Sequence, residues 1–304
     1  MSHQTGQKEK TAVALSSVFA AIGLTGFKII VGLLTNSLGI LAEAAHSALD
    51  LAAAIMTFFA VRISDKPADQ EHPFGHGKVE NISALFETLL LLATSAWIIY
   101  EATHRLSALE THVEVSIWSF IVMSTSIVVD ISRSRMLMKA AKKHNSQALE
   151  ADALHFSTDI WSSSVVILGL ILVMVGRYYP NLAFLEKGDA IAALVVAVIV
   201  IFVSVELGAR SIQALLDSAP KNGERETIIK EIGRMKTIED VHDVRIRTSG
   251  AGWFVDMHVL MNGDLTLSES HAVTEQIERK VRKILPKSDV TVHVEPGRKK
   301  RRDS

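Results

Sequence analysis

The chain has 304 residues, of which 48% are hydrophobic, and its formal net charge at pH 7 is −1. Such a balanced charge gives no long-range attraction for nucleic acid, so we expect no nucleic-acid partner. The chain has no cysteine, which excludes a disulfide framework and a thiolate metal site. Any transition-metal site must therefore use His, Asp and Glu side chains.

Charged residues avoid several apolar stretches of about twenty residues, the length that a helix needs to cross a bilayer. The pattern predicts a polytopic α-helical membrane protein with six transmembrane helices. The first stretch has no small-residue cleavage pattern, so we interpret it as a retained span and not as a signal peptide. The predicted spans are residues 12–34, 38–61, 79–100, 115–138, 149–175 and 189–207.

Lysine and arginine are concentrated before the first predicted span, between the second and third, and between the fourth and fifth. The positive-inside rule then predicts a multi-pass protein of the inner (plasma) membrane with both termini in the cytoplasm. In this orientation the second and fifth spans run antiparallel.

The spacing His-x-x-x-Asp occurs twice in these stretches, as His46 and Asp50 in the second span and as His155 and Asp159 in the fifth. Four residues are about one helical turn, so each pair lies on one helix face at mid-membrane depth. Ionisable groups are costly there and usually belong to an ion pathway or a relay. Two such faces turned together would form a four-ligand cage for a divalent transition metal. The alternatives are a polar packing network and a pure proton relay.

A third group lies between the second and third spans and contains Asp69, His72 and His76. Gly75 and Gly77 allow the chain to bend so that the two imidazoles converge, and the carboxylate completes a three-ligand set with an open position. The alternative is a turn whose histidines are simply exposed.

Beyond residue 207 the apolar runs stop, which predicts a transmembrane domain over 1–208 and a cytoplasmic domain with a basic tail over 209–304. The tail, 298–302, is either a solvated segment or a contact for anionic lipid head groups. Alternating apolar residues and a helix stop at Pro286 indicate a small cytoplasmic α/β domain in the order αββαβ, resembling a metallochaperone. Its predicted elements are 224–235, 241–248, 253–261, 268–285 and 289–294.

Histidines of a soluble domain are usually surface residues, but a fourth set of candidate ligands lies in this domain. His242, His258 and His293 could line one edge of the small sheet, with Glu295 just beyond. This fourth set consists of His242, His258, His271, His293 and Glu295. Strand periodicity permits a metal-binding cluster and does not require one.

The order of these motifs along residues 11–296 resembles the cation diffusion facilitator family, close to its bacterial zinc transporters. The resemblance implies a transport site at His46, Asp50, His155 and Asp159, a second site in the loop, and further ions bound by the cytoplasmic set at a homodimer interface. It also associates a histidine at position 46 with zinc rather than cadmium or manganese. Glu295 stands where a close relative carries Asp, which changes the reach of that ligand.

The predicted function is a zinc/proton antiporter that exports metal from the cytoplasm by alternating access, and not an enzyme. Zn²⁺ with two carboxylates and two neutral imidazoles is a neutral unit, and without the metal the repelling carboxylates favour protonation. Alternatives are a membrane metal sensor or scaffold without transport, or an exporter preferring Cd²⁺, Fe²⁺ or Co²⁺. A membrane metallohydrolase is disfavoured because no His-Glu-x-x-His motif occurs.

Other ionisable residues within the spans are weaker candidates. Glu43 and Asp152 lie about one turn before His46 and His155, so they could support the ligands, with helix packing as the alternative. Glu87 and Asp130 are further acidic candidates. Lys28 is expected to extend its stem and pair with a carboxylate of the bundle.

Overall fold

The structure is a computed structural model that describes residues 2–107, 117–178, 188–220 and 223–297. The chain divides into two compact units, Met1–Ile212 and Gln213–Ser304. The helix that contains the predicted boundary at residue 208 continues to Leu215. The basic tail and the first two residues of the fourth predicted span, 115 and 116, lie outside the described residues.

The first unit is built from long helices, each of which overlaps one predicted span. They are α1 Ser2–Thr35, α2 Leu38–Ser64, α3 Val79–Ser107, α4 Ile117–His144, α5 Gln147–Tyr178 and α6 Gly188–Leu215. Among the described residues, five of them (α1 to α4 and α6) are long and apolar enough to cross a membrane. A membrane crossing by α5 stays a prediction.

Two short turns have the same construction and join neighbouring helices of this unit. Asn36 and Asn145 adopt left-handed backbone conformations with φ of 48° and 50°, which asparagine tolerates better than most residues. A serine follows each: the Ser37 and Ser146 hydroxyls accept hydrogen bonds from backbone amides in the first turns of α2 and α5. Serine in this position satisfies a helix-start amide that would otherwise lack a partner. The turns therefore pair α1 with α2 and α4 with α5.

The core of the first unit is made largely of small side chains. One cluster joins α1, α2, α4 and α5 through Ala14, Val61, Leu137, Ala153 and Phe156, all of them buried. Small residues allow membrane helices to approach closely, and this increases their van der Waals contact. The close approach of α2 and α5 places their polar residues within reach of one another.

The second unit has the predicted order αββαβ. Its elements are α7 Glu224–Gly233, β1 Ile238–Ser249, β2 Gly252–Met261, α8 Leu267–Ile284 and β3 Ser288–Pro296. The sheet order is β1-β2-β3, with β1 antiparallel to β2 and β2 parallel to β3. The parallel pair is possible because α8 provides the crossover between β2 and β3.

The core of the second unit lies between this sheet and its helices. Val255 and Val259 of β2 pack with Ile277 and Val281 of α8, and all four are fully buried. The start of α8 is fixed by a capping box, in which Thr266 and Glu269 each bond the other's backbone amide. Hydrogen bonds from the Thr266 backbone and side chain lower the pKa of the Glu269 carboxyl.

Candidate metal sites

The structure brings the two His-x-x-x-Asp motifs of α2 and α5 together. His155 Nε2 lies 3.2 Å from Asp50 Oδ1 and 3.5 Å from Asp159 Oδ2. His46 Nε2 is more distant, at 3.9 Å from Asp50 Oδ1 and 4.0 Å from Asp159 Oδ1. Donors around a tetrahedral zinc ion with bonds of about 2.05 Å are about 3.3 Å apart. Three of the predicted ligands are therefore at metal-binding spacing, and His46 is close to it.

The burial of these four residues is unequal. His155 is 5% exposed at its side chain, Asp50 12% and Asp159 16%, whereas His46 is 38% exposed. A ligand that is 38% exposed beside three less exposed ones gives the group one more accessible side. We call these four residues the tetrad.

Neither of the two predicted supporting carboxylates, Glu43 and Asp152, forms a hydrogen bond with the tetrad among the described residues. Glu43 Oε2 lies 3.2 Å from Lys28 Nζ, so the carboxylate partner expected for Lys28 is found. The same ammonium donates to Ser47 Oγ at 2.8 Å. Asp152 is buried, and neither of its carboxylate oxygens has a hydrogen-bond partner within the described part of the chain. A supporting role for either residue stays a prediction.

Glu87 of α3, which the sequence marked only as a weaker candidate, contacts the tetrad directly. Its Oε2 lies 3.4 Å from His155 Nδ1, and its Oε1 accepts a hydrogen bond of 3.1 Å from the Thr57 hydroxyl. The only signal in the sequence was an acidic residue in an apolar stretch, because contact between α3 and α5 depends on tertiary packing.

The loop between α2 and α3 gathers its three predicted ligands. Asp69 Oδ1 lies 3.3 Å from His72 Nδ1, and Asp69 Oδ2 lies 3.3 Å from His76 Nε2. The ring centroids of the two histidines are 4.4 Å apart. Gly75, with φ of 79°, provides the left-handed residue that this turn needs. The His72 amide donates to Asp69 Oδ1, and this hydrogen bond is the main cause of the lowered pKa of Asp69.

The sheet of the second unit aligns three of the predicted histidines side by side. His258 on β2 is the register partner of both His242 on β1 and His293 on β3. Glu295 joins them: its Oε1 lies 2.9 Å from His258 Nδ1, and its Oε2 lies 3.4 Å from His242 Nε2. The hydrogen bond with His258 lowers the pKa of Glu295. His293 Nε2 is 3.9 Å from Glu295 Oε1.

His271 is the member of the predicted cytoplasmic set that the described chain does not bring to the sheet cluster. It lies on α8, with its ring 3.7 Å from Glu275 and its side chain 72% exposed. Sequence reasoning also missed Asp240, whose Oδ2 lies 3.1 Å from His242 Nδ1. Its spacing of two residues from His242 along a strand was the available signal.

Family models match nearly the whole chain. The cation efflux transmembrane domain matches residues 14–216, and the cytoplasmic domain of cation efflux proteins, whose model is named ZT_dimer, matches residues 220–297. The chain belongs to the cation efflux, or cation diffusion facilitator, family. Members of this family are membrane transporters of divalent metal cations and not enzymes. The match to ZT_dimer also supports a homodimer.

Full-length relatives agree with this assignment. The chain is 30% identical over 296 residues to the cation-efflux pump FieF of Cronobacter sakazakii, covering 97% of this chain and 95% of that protein. It is 31% identical over 289 residues to FieF of Yersinia pestis, with coverage of 94% and 92%. The chain is also similar to a solved structure of the zinc form of CzrB, a candidate zinc transporter. The match covers 26% of this chain and 90% of the CzrB chain, at 30% identity and a TM-score of 0.24. As a family member with apolar helices, the chain is a multi-pass inner-membrane protein that exports cations.

Proposed function

We propose that this family member is a zinc/proton antiporter, which exports Zn²⁺ from the cytoplasm by alternating access at the tetrad of His46, Asp50, His155 and Asp159. The observation that carries the proposal is the convergence of two imidazoles and two carboxylates from α2 and α5, with four imidazole–carboxylate distances of 3.2 to 4.0 Å. In this proposal α5 crosses the membrane as the sixth span, and both termini lie in the cytoplasm.

The charge of the tetrad explains why metal and protons would compete. A dication between two carboxylates is electrically balanced, so the loaded site avoids an isolated charge in a medium of low dielectric constant. When the metal leaves, the two carboxylates face each other with little water around them. Protonation then removes the repulsion, so proton uptake accompanies metal release.

The donor set favours zinc among the candidate metals. Two imidazole nitrogens and two carboxylate oxygens in a tetrahedral arrangement suit Zn²⁺, whereas ions that prefer six oxygen ligands are poorly served. Cd²⁺, Fe²⁺ and Co²⁺ are alternative substrates with overlapping ligand preferences. A metal sensor or scaffold that binds without moving the ion is the alternative function.

The two outer clusters would bind metal in supporting roles. Asp69, His72 and His76 offer two nitrogens and a carboxylate at an exposed loop, and zinc accepts such a three-ligand set with a fourth open position. In the cytoplasmic domain His242, His258 and Glu295 form a similar group. We propose that this second group binds zinc at the interface of a homodimer. A metal bridge between two subunits can fix the mutual position of two small domains, whose own cores do little to fix it.

Zinc flux in reconstituted vesicles tests the transport proposal. Wild-type protein should move zinc when a pH gradient is imposed, and Asp50→Ala or Asp159→Ala should abolish this flux. Thr158→Val is a matched control, because this hydroxyl donates to a backbone carbonyl of its own helix, α5. Zinc binding without flux in the wild type would favour a sensor. Normal flux in both aspartate variants would refute the tetrad as the transport site.

A further inference from the structure

The two ring nitrogens of His155 face two different carboxylate environments. Nε2 points to Asp50 and Asp159 of the tetrad, at 3.2 and 3.5 Å. Nδ1 lies 3.4 Å from Glu87 Oε2 on α3. Among the described residues neither Nδ1 nor Oε2 has a hydrogen-bond partner. A hydrogen bond between these two atoms would therefore replace no other hydrogen bond among the described residues.

A histidine can bind a metal only through a nitrogen that carries no proton. If Nε2 binds the cation, the proton of the neutral imidazole must be on Nδ1, and a carboxylate beside Nδ1 stabilises this tautomer. Such a carboxylate also fixes the orientation of the ring and strengthens the donor nitrogen.

From this geometry, and resting on the proposed function, we infer that Glu87 is a positioning residue of the transport site. It accepts a hydrogen bond from Nδ1–H of His155 and thereby directs Nε2 toward the cation. Glu87 does not touch the cation itself in this account; it acts through the imidazole.

The surroundings of Glu87 support this role over a role in packing alone. The residue is fully buried in a region of apolar helices, where an unpaired carboxylate costs free energy. The Thr57 hydroxyl of α2 holds Oε1 at 3.1 Å and leaves Oε2 directed to His155. Thr57 lies two helical turns beyond Asp50, so α2 provides both a metal ligand and the group that orients Glu87. The contact thus connects α2, α3 and α5 at one place.

The inference predicts a loss of metal affinity when the acceptor is removed. Loss of a group that hydrogen-bonds the second ring nitrogen of a metal-binding histidine typically weakens metal binding by about 10- to 100-fold. Glu87→Met keeps the length and volume of the side chain but removes the acceptor. We expect the KM for zinc to rise about 10- to 100-fold, with a smaller change in maximal flux. Glu87→Gln keeps a neutral acceptor oxygen and should recover part of this loss.

The control is Thr88→Val, the next residue on α3. Thr88 is also buried, and its hydroxyl bonds the backbone of its own helix, so this variant should keep the wild-type KM. All variants are compared in full-length protein in vesicles, after checking that each elutes as a single species in detergent.

A direct measurement does not depend on the variants. The nitrogen-15 NMR signals of the His155 ring in zinc-loaded wild-type protein, assigned by comparison with His155→Gln, should show a protonated Nδ1 and a metal-bound Nε2. Zinc bound through Nδ1, or a KM in Glu87→Met equal to that of Thr88→Val, would overturn the inference. If Asp50→Ala and Asp159→Ala transport normally, the proposed function itself fails. If they do not transport but Glu87→Met behaves as wild type, only the positioning role fails.

Discussion

A buried ion-pair network at one end of the helices should be costly to break by removal of one partner. Lys10 Nζ of α1 lies 2.9 Å from Asp65 Oδ1 and 3.0 Å from Glu80 Oε1. Lys10 and Glu80 are 4% and 1% exposed. The Ser64 and Ser146 hydroxyls also donate to Glu80. The network connects the start of α1, the end of α2, the start of α3 and the turn before α5.

We predict that Lys10→Met lowers the free energy of unfolding by about 3 kcal/mol. Removing one partner of a buried ion pair typically costs about 3 to 5 kcal/mol, because the other charge stays buried without compensation. The lower end applies here, since two serine hydroxyls continue to bond Glu80. Glu80→Gln in the same chain removes the uncompensated charge, so the double variant should be more stable than Lys10→Met alone.

Unfolding in mixed micelles with increasing SDS, followed by tryptophan fluorescence, measures this difference. Lys143→Met is the matched control: Lys143 pairs with Glu9 at 2.6 Å, but both side chains are largely exposed, so no measurable change is expected. If Lys10→Met were as stable as wild type, loss of the Lys10 charge would not carry the cost assigned to it. A double variant less stable than Lys10→Met would contradict the argument from uncompensated charge.

The network has a further consequence for the loop site. Asp65 follows the end of α2 and Glu80 lies at the start of α3, so Lys10 holds both ends of the loop that carries Asp69 and the two loop histidines. We therefore expect Lys10→Met also to weaken zinc binding by the loop.

Three further predictions concern the loop, the transport site and the cytoplasmic core. The hydrogen bond from the His72 amide lowers the pKa of Asp69, so its carboxylate keeps its charge to more acidic pH than an ordinary aspartate does. Asp69→Asn removes this charge at neutral pH and should therefore weaken zinc binding by the loop; calorimetry that finds equal zinc affinity in the variant and the wild type would contradict this. His46→Asp replaces a nitrogen donor by oxygen and should raise transport of manganese relative to zinc in a vesicle metal panel; an unchanged ratio would exclude a role for His46 in selectivity. Ile277→Ala removes a fully buried side chain and should destabilise the cytoplasmic unit by about 2 to 5 kcal/mol, measured by hydrogen exchange in the full-length protein; unchanged protection of β2 would count against the core described above.

The sequence predicted the features that depend on local periodicity. Apolar runs predicted each helix of the first unit, and the alternation of side chains predicted the αββαβ order of the second. The His-x-x-x-Asp spacing predicted which residues share a helix face. Strand periodicity only permitted a cluster of His242, His258 and His293, and the pairing between strands sets the register that aligns them.

Features that depend on contacts between distant helices were not predictable in the same way. The contact of Glu87 with His155 requires α3 to pack against α5, and no spacing along the chain encodes this. The same applies to Lys10, which meets Glu80 only through the folded bundle. His271 was grouped with the sheet histidines because of its residue type, whereas its helix directs it to Glu275 within the described chain.

The most direct test of the central claim is a simultaneous measurement of zinc and proton movement in vesicles that contain the wild-type protein. A zinc gradient, without any imposed pH gradient, should drive protons in the direction opposite to zinc, and both fluxes should disappear in Asp159→Ala. Zinc movement without any opposing proton movement would contradict competition between metal and protons at the tetrad.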